Sequence, residues 1–425
     1  MRRLIAVVGL GAAGMAGPGI DGCAAQQATV AIAAQPTVAA DVTAAVTAFL
    51  DALWPLAAKA GVSRATFDQA VKDFAPDSEI AALNASQPEF AKTAGDYVGL
   101  LVSETRIAGG RAKLAELAAL LDAVEARYGV DRHILVAIWG IESSYGTATG
   151  QRPVIRSLAT LAMTDQRRGD FWRSELIAAL RILEARDIAP EAMLGSWAGA
   201  MGHTQFMPST FQRFAVDFDG DGKRDLWTTP VDALASAANY LKASGWVSNM
   251  AWGVEVRLPS GFDFGASGPD VSRGFEQWRG LGVVPVTQSV VHANIGPLQL
   301  ILPAGANGPA FLVASNFKAI LRYNRAVPYA LAVGHLADRL AGGDGLATAW
   351  PSDDKALTRG EREELQARLQ KAGFDVGTLD GVIGTQTRSA VRAYQKARGL
   401  IEDGFPGAAL FERLRAEAQS GGNAP

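Results

Sequence analysis

From Val42 to about Leu241 apolar residues recur at three and four, the spacing of one helix face. This predicts helices over Val42–Lys59, Ala112–Tyr128, Arg132–Tyr145, Phe171–Ala185 and Val231–Ala243, with Gly or Pro marking several ends. The pattern changes over 254–315. Val254-Glu255-Val256-Arg257-Leu258 alternates, and Leu298–Leu302 and Phe311–Val313 are short apolar runs, so a few strands set in loops are expected. Helical spacing returns from Ser315 to Leu340. Gly342-Gly343-Asp344-Gly345 and Pro351-Ser352-Asp353-Asp354 mark a linker over 341–357. Leu365-Gln366-Ala367-Arg368-Leu369 then opens a small separate helical module over 358–418. The pattern gives an α-rich chain of the α+β class: one helical domain over 42–340 with a small strand-containing insertion, then the module. No long repeat is visible.

The N-terminus reads as an address. Arg2 and Arg3 precede apolar Leu4–Ala16, and small residues follow, including Gly22-Cys23-Ala24-Ala25, so 1–25 has the order of a secretory signal peptide. The stretch is too short and glycine-rich for a membrane span. Gly9-Leu10-Gly11-Ala12-Ala13-Gly14 matches a dinucleotide fingerprint, but Gly17-Pro18-Gly19 breaks the helix such a site needs. Ile20-Asp21-Gly22-Cys23 resembles a bacterial lipobox. Cys23 is then either lipidated, tethering the protein to a membrane, or removed with the signal; both readings export the mature chain. Residues 26–41, rich in Ala, Gln, Thr and Pro, read as a flexible leader.

Composition narrows the function classes. A chain of 425 residues suggests two or three domains, and 48% hydrophobic with 20% charged residues is globular. A net charge of −3 argues against nucleic acid as a partner. A single cysteine excludes an intrachain disulfide, and His133, His203, His292 and His335 are too dispersed for a histidine-built metal site. G-x-S-x-G, H-E-x-x-H and the P-loop are all absent from the sequence.

One carboxylate stands out. On the helix Arg132–Tyr145, Glu142 follows Ile138 by four and Trp139 by three, which puts it on the apolar face with Ile134 and Tyr145. It also sits near the helix end, where carbonyl dipoles disfavour negative charge. Both effects raise its pKa, and a carboxyl protonated near neutral pH can act as a general acid.

Gly140-Ile141-Glu142-Ser143-Ser144-Tyr145-Gly146 resembles the catalytic motif of lytic transglycosylases. Further on, Gly199-Ala200-Met201-Gly202-His203-Thr204-Gln205-Phe206-Met207-Pro208-Ser209 resembles the second motif of the membrane-bound lytic murein transglycosylase B family. Asn239-Tyr240, Arg322-Tyr323-Asn324 and Tyr329-Ala330-Leu331-Ala332-Val333 are similar to that family too, so the likeness runs from about 42 to 340. It implies a lysozyme-like catalytic domain that cleaves the β-1,4 bond from N-acetylmuramic acid to N-acetylglucosamine in peptidoglycan glycan strands. Glu142 would protonate the glycosidic oxygen and then, as carboxylate, deprotonate the C6 hydroxyl of muramic acid. That hydroxyl attacks C1 and leaves a 1,6-anhydro end. An ordinary glycosidase needs two carboxylates; neither core motif supplies a second. By the same resemblance Ser196, Gln205, Tyr240, Tyr323 and Tyr329 line the site, and His203 stays structural. Gly199, Ala200 and Gly202 would let the backbone approach a sugar chain. The chemistry needs no cofactor. The implied location is the periplasm, as an outer-membrane lipoprotein if Cys23 is lipidated.

Asp217-Phe218-Asp219-Gly220-Asp221-Gly222-Lys223-Arg224-Asp225 places acids at 1, 3, 5 and 9 and glycine at 6, the start of an EF-hand loop. The twelfth position is Thr228 and not Glu. The family resemblance implies a lengthened loop closed by Asp232, giving Asp217, Asp219, Asp221, the Lys223 carbonyl and Asp232 as ligands of a structural Ca²⁺. In the module, Gly377-Thr378-Leu379-Asp380-Gly381-Val382-Ile383-Gly384, Ala390-Val391-Arg392-Ala393-Tyr394-Gln395 and Asp403-Gly404 resemble a three-helix peptidoglycan-binding domain. Two other readings stay open: a hydrolytic muramidase, which would need a second carboxylate or a positioned water by Glu142, and a non-catalytic wall-binding scaffold, which would have no use for an acid on an apolar face.

Overall fold

The computed structural model describes residues 36–85, 92–268, 271–286 and 296–420. The signal segment, Cys23 and the leader as far as residue 35 lie outside the described residues. The first helices are α1 (Pro36–Lys59), α2 (Arg64–Ala70), α3 (Ser78–Ala85), α4 (Ala94–Leu101), α5 (Glu104–Glu116), α6 (Ala118–Tyr128) and α7 (Arg132–Ser143). There follow β1 (Arg152–Pro153), α8 (Val154–Thr164), α9 (Gly169–Glu184), β2 (Leu194–Gly195), α10 (Pro208–Phe214) and α11 (Pro230–Ala243). The insertion holds β3 (Gly253–Arg257), α12 (Phe275–Gly280), β4 (Val284–Pro285), β5 (Gln299–Ile301) and β6 (Ala310–Val313). The chain ends with α13 (Ser315–Tyr323), α14 (Val327–Leu340), α15 (Arg359–Lys371), α16 (Thr385–Ala397) and α17 (Ala408–Ser420).

These elements form two compact units. In the unit of 36–85 with 146–233, α9 packs against α8, α10, α1 and α2. Trp172 on α9 is fully buried, and its indole N–H donates to Asp165 Oδ2 at 3.0 Å. Arg152 and Pro153 of β1 pair antiparallel with Gly195 and Leu194 of β2.

The other unit takes the described residues of 87–145 and 234–425. Its centre is α7, where every residue from Ile134 to Ile141 is buried, so this helix is apolar all round. It packs against α14, also buried along most of its length, and against α5 and α6, while α14 reaches α4, α5 and α13. The strands form one antiparallel sheet in the order β4-β3-β6-β5. Strand β6 is central and buried on both faces. Ala310 and Leu312 join a core with Trp278, Leu298 and Leu300, and the Phe311 ring lies 6.1 Å from that of Trp252. The C-terminal module has its own core of Leu365, Leu369, Val391, Tyr394 and Phe411. It also docks on the insertion: Arg392 Nη1 donates to Ser267 O at 2.6 Å, and Ala306 N donates to Asp403 Oδ2 at 2.9 Å.

Three expectations shift. Helix α1 begins at Pro36, so the last residues of the expected leader are helical. Proline at a first helical position loses no bond and has its φ preset, a start signal within the Pro-containing tract. The helix expected over 112–128 is instead α5 and α6, which meet at Leu117 (φ −106°, ψ 22°) with no Gly or Pro to mark the break. Helix α7 stops at Ser143, because Ser144 and Tyr145 are left-handed (φ 49° and 61°) and Gly146 follows them (φ 84°). Tyr145 is therefore not on the helical face assigned to it.

Candidate active site

Glu142 sits in the last turn of α7. Its side chain keeps some accessible surface but lies deep among protein atoms, and the Tyr329 hydroxyl on α14 donates to its Oε1 at 2.6 Å. Burial pushes the carboxyl up to about 7, against the pull of the Tyr329 hydrogen bond towards the carboxylate form. Burial is the largest cause. Tyr329 is itself buried, and burial together with the nearby carboxylate holds its phenol well above the ordinary range. The hydroxyl is thus a permanent donor at Glu142.

Three more tyrosines of this unit, Tyr323, Tyr240 and Tyr97, connect to this pair directly or through one another. Tyr323 is an electrostatic neighbour of Tyr329. Its ring meets that of Tyr240 edge to face at 5.2 Å, and Tyr240 OH donates to Arg322 O at 2.6 Å. Tyr97 on α4 also feels the Glu142 charge, and burial pushes its phenol up to about 12. Sequence reasoning missed Tyr97; the eight-residue α4 lies outside both motifs, and only tertiary packing brings it to Glu142.

The turn after α7 is locked from behind. The Tyr145 ring lies across Gly140 and edge to face on Trp139 (5.6 Å), and its hydroxyl donates to Arg106 O at 2.6 Å. Arg106 Nε donates to Gly140 O, and its Nη1 to Leu101 O at the end of α4. One guanidinium therefore ties together the C-terminal ends of the helices carrying Tyr97 and Glu142, where helix dipoles favour a cation. A Cβ on Gly140 would stand 2.6 Å from Tyr145 Cζ. Gly140→Ala is expected to destabilise the protein by about 1–3 kcal/mol, the usual cost of overpacking, read as a lower urea midpoint at unchanged slope.

The second motif lies in the other unit. Gln205 adopts a left-handed backbone (φ 50°), and its Nε2 donates to Thr149 O and Gly202 O, both at 2.9 Å. Two carbonyl partners fix the orientation of the amide, so Oε1 is the atom it offers a ligand. Ser196 accepts from Ala200 N through its hydroxyl oxygen, closing the 196–200 turn, and keeps its O–H as a donor. The glycine expectation is corrected here. A Cβ on Gly199 would stand 2.5 Å from Leu158 Cδ2, and one on Gly202 would stand 2.1 Å from Leu226 O. The protein's own atoms fill the space reserved for sugar, and both glycines have positive φ (83° and 67°). His203 is buried and donates its backbone N–H to Leu226 O, in keeping with a structural place.

Other shifted acids do not resemble Glu142. Glu175 is buried and its pKa raised by burial, but its oxygens accept from Ser209 N (2.9 Å) and Ser209 Oγ (2.7 Å) at the start of α10. Asp338, pushed up to about 7 by burial, accepts from the Trp252 indole.

The acidic loop gathers carboxylate oxygens of Asp217, Asp219 and Asp221 within 4.8 Å of one another. Asp217 accepts from Gly220 N and Gly222 N, and Asp221 from Lys223 N, so backbone amides fold the loop round its acids. Asp232 is buried and accepts from Phe218 N (2.7 Å) and Asp225 N (2.8 Å), bridging the loop's two arms. It stands outside the close trio but is electrostatically coupled to Asp217 and Asp219. Asp225 turns to its own Trp227 and Thr228 amides and the Thr228 hydroxyl.

Residues 45–338 match the family model of the transglycosylase SLT domain, and 358–414 match that of a peptidoglycan-binding domain. The chain is 37% identical over 219 residues to membrane-bound lytic murein transglycosylase B of Escherichia coli, a segment that spans 50% of this chain and 58% of that protein. It is similar in structure to SltB3 of Pseudomonas aeruginosa in complex with NAG-anhNAM-pentapeptide, with 47% identity, TM-score 0.84, and coverage of 87% of this chain and 99% of that one. It is also similar to Escherichia coli Slt35 in complex with calcium, with 29% identity, TM-score 0.59, and coverage of 70% and 92%.

Proposed function

Because the chain belongs to the transglycosylase SLT-domain family, we propose that it is a peptidoglycan lytic transglycosylase and that Glu142 serves as both its acid and its base. The observation that carries the assignment is the carboxyl at the end of α7, raised to about 7 by burial and held by Tyr329 at 2.6 Å. Protonated, Glu142 gives its proton to the glycosidic oxygen as the bond to C1 of N-acetylmuramic acid breaks. The carboxylate left behind takes the proton of the C6 hydroxyl, O6 closes on C1, and the 1,6-anhydro end forms. The proton count returns to its start, and no water or cofactor is consumed.

Among the described residues the groups that set the titration of Glu142 are burial and Tyr329, with no carboxylate between them. A retaining hydrolase, with its two carboxyl groups about 5–5.5 Å apart, would couple the second acid to the first. This favours transglycosylation over the muramidase reading. Ser196, Gln205, Tyr240, Tyr323 and Tyr97 are the proposed substrate contacts, and buried Tyr329 lines the site from behind, through its hydroxyl on Glu142. Gln205 Oε1 suits an acetamido N–H, and the part-exposed faces of Tyr240, Tyr323 and Tyr97 suit sugar rings. Replacing Glu142 and analysing the digest tests the assignment, as set out in the Discussion.

The site of action is the periplasm, with the enzyme either tethered through a lipid on Cys23 or released after signal removal. Helix α1 is long and apolar enough over Asp41–Lys59 to cross a membrane by length and composition alone. The acids of the 217–232 loop suit Ca²⁺, a hard cation that takes carboxylate and carbonyl oxygens. Asp217, Asp219, Asp221, the Lys223 carbonyl and Asp232 would hold it, in a stabilising role. Calcium at a hundred times its Kd should add about 2.7 kcal/mol of stability. Chelation should lower the thermal midpoint of the wild type and leave that of Asp219→Asn unchanged. An unchanged wild-type midpoint, with no calcium found by elemental analysis, would remove the metal from the account.

A further inference from the structure

The C-terminal module contains the same small device twice. In one copy, buried Gln395 accepts Gly404 N at its Oε1 (2.9 Å) and donates from Nε2 to Asp403 Oδ1 (2.7 Å), which also accepts Phe405 N (2.9 Å). In the other, buried Gln366 accepts Gly381 N at its Oε1 (2.8 Å), its Nε2 lies 3.5 Å from Asp380 Oδ1, and that oxygen accepts Val382 N (2.9 Å). The two glycines have the same left-handed φ, 68° at Gly381 and 69° at Gly404. The sequence hides this likeness, because the copies share only a Gln and an Asp-Gly at unequal separations.

The second copy is occupied. Its remaining oxygen, Asp403 Oδ2, accepts the backbone N–H of Ala306 at 2.9 Å. Phe405 packs so closely on Gly305 that a Cβ there would stand 3.0 Å from Phe405 Cβ. This turn thus holds a peptide backbone at a small residue, through one amide N–H and one apolar contact. The first copy presents the same atoms to solvent. Asp380 Oδ2 meets no donor among the described residues. Val382, at the place of Phe405, is 41% exposed, and its neighbour Leu379 is 44% exposed.

We propose that the Asp380-Gly381-Val382 turn is a binding site for the peptide stems of peptidoglycan, taking a stem amide N–H on Asp380 Oδ2 and a small stem side chain against Val382 and Leu379. The occupied twin favours a peptide over a glycan, because its guest is a backbone amide beside a residue with no side chain. The inference rests on the peptidoglycan reading above, and its test separates the two.

Full-length wild type and Asp380→Asn are sedimented with intact sacculi, and are bound to peptide-free glycan strands released by an amidase and held on beads, at a temperature where cleavage is negligible. Asparagine keeps the oxygen that accepts Val382 N and replaces Oδ2 by a donor, so the turn is retained and the amide is repelled. The expected result is about tenfold weaker binding of Asp380→Asn to intact sacculi, the loss of one charge-assisted hydrogen bond. On the peptide-free strands the two proteins should bind alike, and cleavage of a short soluble muropeptide should be unchanged. Leu379→Ser in the same assay should also weaken binding to intact sacculi. Equal binding of wild type and Asp380→Asn to intact sacculi overturns the proposal alone. A difference that survives peptide removal also overturns it, and points to the sugar acetamido group. Failure of the wild type to bind any sacculi overturns both this site and the peptidoglycan reading.

Discussion

Replacing Glu142 by glutamine is expected to slow release of anhydromuropeptides by about 10²–10⁴-fold, the span of a lost general acid or base. The upper end is favoured, because this carboxyl is assigned both proton transfers and no second acid shares its titration. The same variant should be more stable than the wild type at pH 8. The sign follows from the direction of the shift. A carboxyl raised from 4.5 to about 7 binds its proton more tightly in the folded state. Its contribution therefore falls as pH rises from 4.5 to about 7 and stays low above that. The full conversion is about 3 kcal/mol, and the accessible edge of the side chain reduces the expectation to roughly 2 kcal/mol through solvent screening. Urea denaturation at pH 8 and near pH 4 checks this: the variant should gain at pH 8 and match the wild type near pH 4. A variant with wild-type turnover would remove Glu142 from the chemistry.

The second large effect belongs to pH and Tyr329. The first step needs protonated Glu142, so kcat/KM should fall as pH rises through about 7. Tyr329→Phe removes a donor that favours the carboxylate. The pKa of Glu142 should then rise, and the alkaline limb should move to higher pH. The plateau should fall about tenfold or more, since a hydrogen bond to a charged group is worth about 1.5–3 kcal/mol and here it orients the base of the second step. A fall in rate with an unmoved alkaline limb would mean that the hydroxyl acts other than through the titration of Glu142.

Helix positions along the body were legible, because periodicity survives wherever one face is buried. Fully buried α7 is a partial exception: its periodicity marked a helix, but Glu142 owes its environment to α14, which no local pattern reveals. The motif around Glu142 carried the resemblance, while the raised pKa follows from depth, against the pull of the Tyr329 hydrogen bond. Tyr97 was invisible because α4 is short and reaches Glu142 only in three dimensions. Gly199 and Gly202 were misread because a glycine reports a missing Cβ without saying whether ligand or protein fills the space; here Leu158 and Leu226 fill it. The break at Leu117 had no Gly or Pro to announce it.

The most direct test of the single acid/base mechanism is the mass of the soluble products from purified peptidoglycan digested in water enriched in heavy oxygen. The account predicts muropeptides with 1,6-anhydro ends and no label at C1 from the wild type, and the same products at least about 10²-fold more slowly from Glu142→Gln. Products one water heavier, labelled at C1, would contradict it and require a second catalytic group that activates water.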